Sequence, residues 1–237
     1  MEPLKVATYN IRKCLGTDRR RDPARVLAVL AEIDADIVAL QEADRRFGMR
    51  VSAIPYHMFL EHSDYVPVDL SGRPPNLIKG IGWHGNAILV RRGATVHHAQ
   101  ALPLPTLEPR GAVVAEIRVK GKALRIIGLH LDLSGLWRRR QIRALLTYLD
   151  CAAQHLPTII MGDFNQWSDR GALSEFAFHH HRLVKTPPSF HSRRPVARLD
   201  RIIVSHDIMV EQADAHDTTL SRLASDHLPL WATVQIA

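Results

Sequence analysis

An α/β fold built on mixed β-sheets is predicted by three features of this sequence. Short apolar runs rich in β-branched residues recur along the chain, amphipathic segments are too few to follow every run with a helix, and glycines punctuate the middle as turns would. The runs fall at residues 6–9, 37–40, 87–90, 126–129, 158–161 and 202–204. Unbroken apolarity over so short a stretch reads as a strand buried on both faces. Asp22 can cap a first helix that Pro23 begins, with Val26, Val29, Leu30 and Ile33 on one face. In a second helix Ile142, Leu145, Leu146 and Leu149 recur at helical spacing, with Arg138, Arg139 and Arg143 off the stripe. A third is expected to start at Ser168 and cover Ala172, Leu173 and Phe176. Because helices are outnumbered, a wholly parallel βαβ sheet is disfavoured. Gly93, Gly111 and Gly121 suggest hairpins between the middle strands. Residues 63–83, rich in Gly and Pro, read as a long surface loop, and residues 187–195 as a second.

Composition narrows the function classes. The 237 residues are compatible with one domain spanning 1–237, and 46% hydrophobic against 23% charged residues is ordinary for a globular chain with a core. No stretch reaches the roughly 18–20 apolar residues of a membrane span, so no stable membrane insertion is expected. The first residues run straight into a strand without the pattern of a secretory leader. Cys14 and Cys151 are too few for a disulfide framework and have no metal-site spacing, which makes a reduced, cytoplasmic setting the expectation. A monomer is expected as well. A net charge of +7 favours anionic partners such as phosphates, nucleic acid or acidic lipid headgroups. Arg19–Arg21, Arg138–Arg140 and Arg193–Arg194 supply much of it, although each group also reads as a solvated face. At 6% aromatic, a row of base-stacking platforms is not evident.

Polar residues punctuate the apolar runs in a regular way. Asn10, Glu42, His130, Asp163 and Asn165 come just after a run; Asn86, Asp200, Asp226 and His227 come just before one. If the two sets of strands run in opposite directions, all of these side chains reach one rim. Asp163 and Asn165 are two residues apart and share a face in extended backbone. A carboxylate there can orient or deprotonate a water, and an amide can donate to a developing oxyanion. Glu42 offers the hard oxygen that Mg²⁺ prefers, Asp226-His227 pairs a carboxylate with an imidazole, and Asp200 can hold an imidazole in one tautomer. Taken singly, each has a plainer reading: Asn10 as a turn-former, Glu42 as an exposed strand-end carboxylate, His130 as a core histidine, Asp200 as a surface ion pair with its flanking arginines.

In order, these segments resemble the endonuclease/exonuclease/phosphatase superfamily, which includes deoxyribonuclease I, exonuclease III and neutral sphingomyelinases. The matching segments are Ala7-Thr8-Tyr9-Asn10-Ile11-Arg12, Ile37-Val38-Ala39-Leu40-Gln41-Glu42, Gly85-Asn86-Ala87-Ile88-Leu89, Gly128-Leu129-His130-Leu131, Met161-Gly162-Asp163-Phe164-Asn165, Leu199-Asp200-Arg201-Ile202 and Ser225-Asp226-His227-Leu228-Pro229. The resemblance implies a four-layer α/β sandwich, two mixed β-sheets packed face to face with helices outside. It implies a Mg²⁺-dependent phosphodiesterase (Mn²⁺ able to substitute) acting on nucleic acid or a phospholipid headgroup. Glu42 would be the principal metal ligand, with Asn10 and Asp226 in the metal shell. Asp163 would orient or deprotonate the attacking water and Asn165 would bind phosphate oxygens. His227, buttressed by Asp200, would contact the scissile phosphate, as would His130, with protonation of the leaving group as a further role. Asn86 and Arg110 would help bind the substrate phosphate. A Leu129-His130-Leu131-Asp132 segment, where exonuclease III-type relatives carry a Tyr-containing Pro-Asn segment, points towards the deoxyribonuclease I and sphingomyelinase side. Two alternatives stay open: a phosphomonoesterase acting on a small phosphorylated metabolite, and a non-catalytic phosphate-binding module.

Overall fold

The computed structural model describes residues 2–44, 51–70, 81–169 and 171–236. One set of strands is β1 (Leu4–Asn10), β2 (Ile37–Gln41), β3 (Tyr65–Pro67), β4 (Ala87–Arg91), β11 (Ile208–Ala215) and β12 (Leu230–Ile236). The other is β5 (Thr95–Leu102), β6 (Gly111–Val119), β7 (Lys122–His130), β8 (Thr158–Asp163), β9 (His181–Leu183) and β10 (Asp200–Ser205). Each set forms a six-stranded sheet, ordered β11-β12-β1-β2-β4-β3 and β5-β6-β7-β8-β10-β9. Both are mixed. β1 runs parallel to β2 and β7 parallel to β8, whereas β12, β4, β6 and β10 run antiparallel to those neighbours.

The two-residue alternation of a strand explains why the apolar runs are continuous. In β2, Ile37 and Ala39 pack between the sheets, while Val38 and Leu40 point to the outer face. In β8, Ile159 and Met161 face inward and Ile160 outward. The outer face of the first sheet is covered by α1 (Pro23–Ile33), α2 (Tyr56–His62) and α5 (Thr219–Ala224), and that of the second by α3 (Gly135–Asp150) and α4 (Glu175–Phe178). The result is the four-layer α/β sandwich. The sheets approach closely at Gly128, where a Cβ would lie 3.2 Å from the Ala39 methyl. The predicted cap of α1 is present, with the Asp22 carboxylate accepting from the Arg25 N–H at 3.0 Å and Pro23 at the first position.

Three local expectations are corrected. The helix expected from Ser168 is a 3₁₀ turn at Gly171–Ser174 followed by the single turn of α4, because Gly171 sits at φ +80° and a right-handed helix cannot pass through it. The expected surface loop at 63–83 contains β3, an edge strand on which Pro67 removes no needed ladder donor; residues 71–80 of that stretch lie outside the described residues. The stretch 187–195 is irregular but not merely superficial. Ser189 and Ser192 are fully buried, and Phe190 bridges both Ala197 and His227.

Candidate active site

The strand directions bring both sets of polar residues to one rim. Asn10 ends β1 and Glu42 follows β2, while Asn86 and Asp226-His227 precede the antiparallel β4 and β12. In the second sheet His130 ends β7, Asp163 ends β8, Asp200 starts the antiparallel β10, and Arg110 precedes β6. Register makes the second group tight: Asp163 lies opposite both His130 and Asp200, and His130 opposite Gly111.

Asp163 is the hub. Its Oδ2 accepts from Asn10 Nδ2 at 3.0 Å, joining the two sheets. His130 Nε2 lies 3.3 Å from the same oxygen without hydrogen-bond geometry, and His227 Nε2 lies at 4.0 Å. Its Oδ1 accepts from the Asn165 N–H at 2.9 Å, which Asn165 offers from a left-handed backbone at φ 50°. The Asn165 amide donates onward to the Leu131 carbonyl at 2.9 Å. Gly162 is required by its neighbour: a Cβ there would fall 1.9 Å from the Leu129 carbonyl oxygen, so only glycine lets β8 lie this close to β7 at the point where Asp163 emerges.

Behind the hub, His227 Nδ1 bonds Asp200 Oδ2 at 2.8 Å, and the Ser189 hydroxyl donates to that same oxygen. Asp200 is buried, so its reading as a surface ion pair is excluded. The two imidazoles are driven apart electrostatically. Burial opposes charge on His227, but Asp200, through charge and hydrogen bond, together with Asp163 and Asp226, outweighs it and raises its pKa to about 10. Burial dominates at His130, aided by Arg110, His227 and Lys13 against the pull of Asp163, and lowers its pKa to about 3. The surroundings thus push His227 towards its charged form and His130 towards its neutral one.

The oxygen donors for a cation lie beside this relay. Glu42 sits in the left-handed region at φ 52° and is ion-paired with Lys13. Asp226 meets Arg12 Nε at 3.2 Å, and the Arg12 N–H donates to Asn10 Oδ1 at 3.1 Å. Arg12 and Lys13 belong to a tight turn, Arg12–Cys14, whose three residues all have positive φ. Two carboxylates and an amide oxygen, with cationic side chains resting on the carboxylates, are a hard-donor set that fits a divalent cation. Asp163, Asp200 and His227 also have ligand atoms within 4.8 Å of one another. There, however, Asp200 Oδ2 is already engaged by His227 and Ser189, so Asp200 and His227 form a hydrogen-bonded pair facing Asp163.

Two of the expected phosphate-binding residues are placed differently from each other. Arg110 lines an open cleft of about 380 Å³ with Glu42, Lys13 and His130, and holds the Leu131 carbonyl at 3.1 Å. Asn86 does not open on to that cleft. It is fully buried, and its Nδ2 donates across the sheets to the Gly111 carbonyl at 3.1 Å, anchoring the residue next to Arg110. Sequence reasoning missed Lys13, Ser189 and Ser225, whose hydroxyl donates to the Asn10 carbonyl at 2.7 Å. Ser225 sits inside a segment already singled out; Ser189 lies in an irregular stretch whose pattern carries no signal.

Comparison with known proteins agrees with this fold. The model of the Endonuclease/Exonuclease/phosphatase family matches residues 7–227. The protein YbhP of Escherichia coli K12, itself uncharacterized, is 30% identical over 251 residues, covering 98% of this chain and 96% of its own. Among solved structures, D. rerio TDP2 complexed with a single-strand DNA product superposes with a TM-score of 0.76 at 19% identity, covering 99% of this chain and 100% of that one. A mannosyl-6-phosphatase of Bacteroides thetaiotaomicron superposes equally well, with a TM-score of 0.76 at 17% identity over 98% of this chain and 100% of its own. Such likenesses speak to fold. The extent of the family match and the YbhP relationship establish that this chain belongs to the endonuclease/exonuclease/phosphatase family.

Proposed function

We propose that this protein is a Mg²⁺-dependent phosphodiesterase whose substrate is nucleic acid or a phospholipid headgroup. Members of its family are phosphoester hydrolases that generally use divalent metals. The observation that carries the finer reading is the convergence on Asp163 of Asn10, His130 and the Asp200-backed His227.

Glu42, Asp226 and Asn10 would hold the cation. Mg²⁺, or Mn²⁺ in its place, supplies charge neutralisation to a phosphoryl oxygen when bound. Asp163 is a buried carboxylate that orients a water and takes its proton. Asn165, held on the Leu131 carbonyl and turned by its left-handed backbone, presents its amide side to the phosphate. His227, backed by Asp200, carries positive charge towards the phosphate. His130, whose Nε2 lies 3.3 Å from Asp163 Oδ2, keeps the phosphate contact and the leaving-group protonation that family resemblance offers it. Asp200 and Ser189 hold the His227 ring in place. Arg110 supplies a further cation at the cleft, with Asn86 positioning it from behind.

The test is hydrolysis of bis-p-nitrophenyl phosphate with Mg²⁺ or Mn²⁺ and again with EDTA. Equal rates in chelator would reject the metal reading. Faster turnover of p-nitrophenyl phosphate than of the diester would replace it with a phosphomonoesterase, and hydrolysis of neither with a phosphate-docking module. Nucleic-acid and lipid substrates separate by salt, since affinity for a polyanion falls steeply as salt rises.

A further inference from the structure

A second cavity, of about 340 Å³, opens beside β10 and is lined by Asp169, Lys185, Thr186, Arg198 and Arg201 together with Leu183 and Val184. None of these residues belongs to the machinery described above. Arg201 follows Asp200 in β10 and, by the alternation of the strand, points to the opposite face. Its side chain is 1% exposed. A guanidinium presents five donors and stays charged in a protein. Arg201 Nη1 donates to the Asp200 carbonyl at 3.2 Å, and Nη2 donates to the Gln166 carbonyl at 3.3 Å and to Asp169 Oδ1 at 2.8 Å. Its Nε is buried with no partner among the described residues, and so is Nε of Arg198. Asp169 is shared: its second oxygen lies 3.6 Å from Arg198 Nη1.

Charge therefore does not balance in this cavity. Two guanidiniums and the Lys185 ammonium line the cavity with one carboxylate, Asp169, which is 47% exposed; the other carboxylate acting on Arg201, Asp200, is already held by His227. A buried charge without a full set of partners is costly, and a buried donor without an acceptor adds to the cost. A tetrahedral oxyanion relieves both, because its charge offsets the excess and its oxygens accept from guanidinium N–H groups. Arginine forks suit that geometry. Thr186, buried at the cavity wall, adds a hydroxyl of the kind that lines phosphate sites.

We infer that this cavity is a phosphate-binding site separate from the catalytic rim, built on Arg201 and Arg198 with Lys185 at its mouth. The ligand is a phosphate group, either free or as one link of a longer phosphodiester chain. Occupancy would fix the start of β10 and the 166–169 segment, the two pieces of chain that carry Asp200 and follow Asn165.

Isothermal titration of inorganic phosphate into the full chain, in EDTA, tests this directly. Expected is a phosphate site whose affinity falls about tenfold or more in Arg198→Ala and in Lys185→Ala and is kept in Arg110→Ala and His227→Ala, whatever binding those two variants remove at the rim. Arg198 and Lys185 are partly or largely exposed, so these variants should fold; Arg201→Leu is the stronger lesion but puts folding at risk. Absence of phosphate binding, or binding that Arg110→Ala abolishes and Arg198→Ala spares, would overturn the proposal. The source of the phosphate is read from oligothymidylate hydrolysis. A raised KM in Arg198→Ala, with bis-p-nitrophenyl phosphate turnover unaltered, assigns the site to a second backbone phosphate of the substrate; an unaltered KM assigns it to the free ion.

Discussion

Replacing Asp200 by Asn tests the buried relay behind the catalytic rim through stability alone, without any assumption about substrate. A rise in the His227 pKa from 6.5 to about 10, at about 1.4 kcal/mol for each tenfold change in proton affinity, corresponds to about 5 kcal/mol between the charged and neutral forms of the imidazole. Asp200 is the largest favourable contributor, so its neutral isostere should cost on the order of 3 kcal/mol at neutral pH, as breaking a buried pair does. The sign follows from linkage. A group whose folded pKa is raised gives its full stabilisation below the unfolded value and loses it as pH climbs through the folded value. The native protein should therefore lose stability between about pH 6.5 and pH 10, while Asp200→Asn should be flatter in that window and meet the native curve near its upper end. Urea denaturation in EDTA at several pH values, with the His227 ring followed by NMR, measures both. Parallel stability curves, or a His227 ring that titrates near 6.5 in the native protein, would refute the reasoning.

Other predictions can be checked on the same preparations. Asp163→Asn and His227→Ala should each lower turnover by about 10²–10³-fold with a folded circular dichroism spectrum; near-native rates in either would unseat the assigned roles. Glu42→Gln should raise the Mg²⁺ concentration needed for half-maximal activity while leaving the thermal midpoint in EDTA close to native, as losing the Lys13 partner costs little at a site open to solvent. Gly162→Ala should fail to fold or lose more than about 4 kcal/mol, since its methyl would overlap the Leu129 carbonyl; a soluble variant of native stability would contradict the close β7–β8 approach.

Much of the fold was legible because each central strand is apolar on both faces and each polar site residue marks a strand end. Ile37 to Leu40 and Thr158 to Met161 carry that signal without help from tertiary context. What escaped lacked it. β5 is largely exposed on its edge, and β11 alternates polar and apolar residues beside a bulge, so neither forms a continuous run. α5 is six residues long and held by a capping box rather than by a long apolar face. In the site, Asp163, Asn10, Asp200 and His227 stood out by position, and their meeting required only opposed strand directions. The roles of Asn86 and Ser189 did not, because a buried amide that ties two sheets and a hydroxyl that steadies a carboxylate depend on partners far along the chain. The positive φ values at Glu42 and Asn165 were equally invisible, since neither residue type demands them.

The place of β12 ties the integrity of one sheet to the completeness of the site. This last strand does not lie at an edge; it is inserted between β1 and β11, and the residues just before it bring Asp226 and His227 to a rim whose other parts begin at Asn10. Without β12 and the residues before it, β1 has an open edge and Asp163 keeps His130 but lacks the Asp200-backed His227. A chain cut before residue 226 would therefore lose a central strand of the sheet and the Asp200-backed imidazole together, so the fold and the site fail as one.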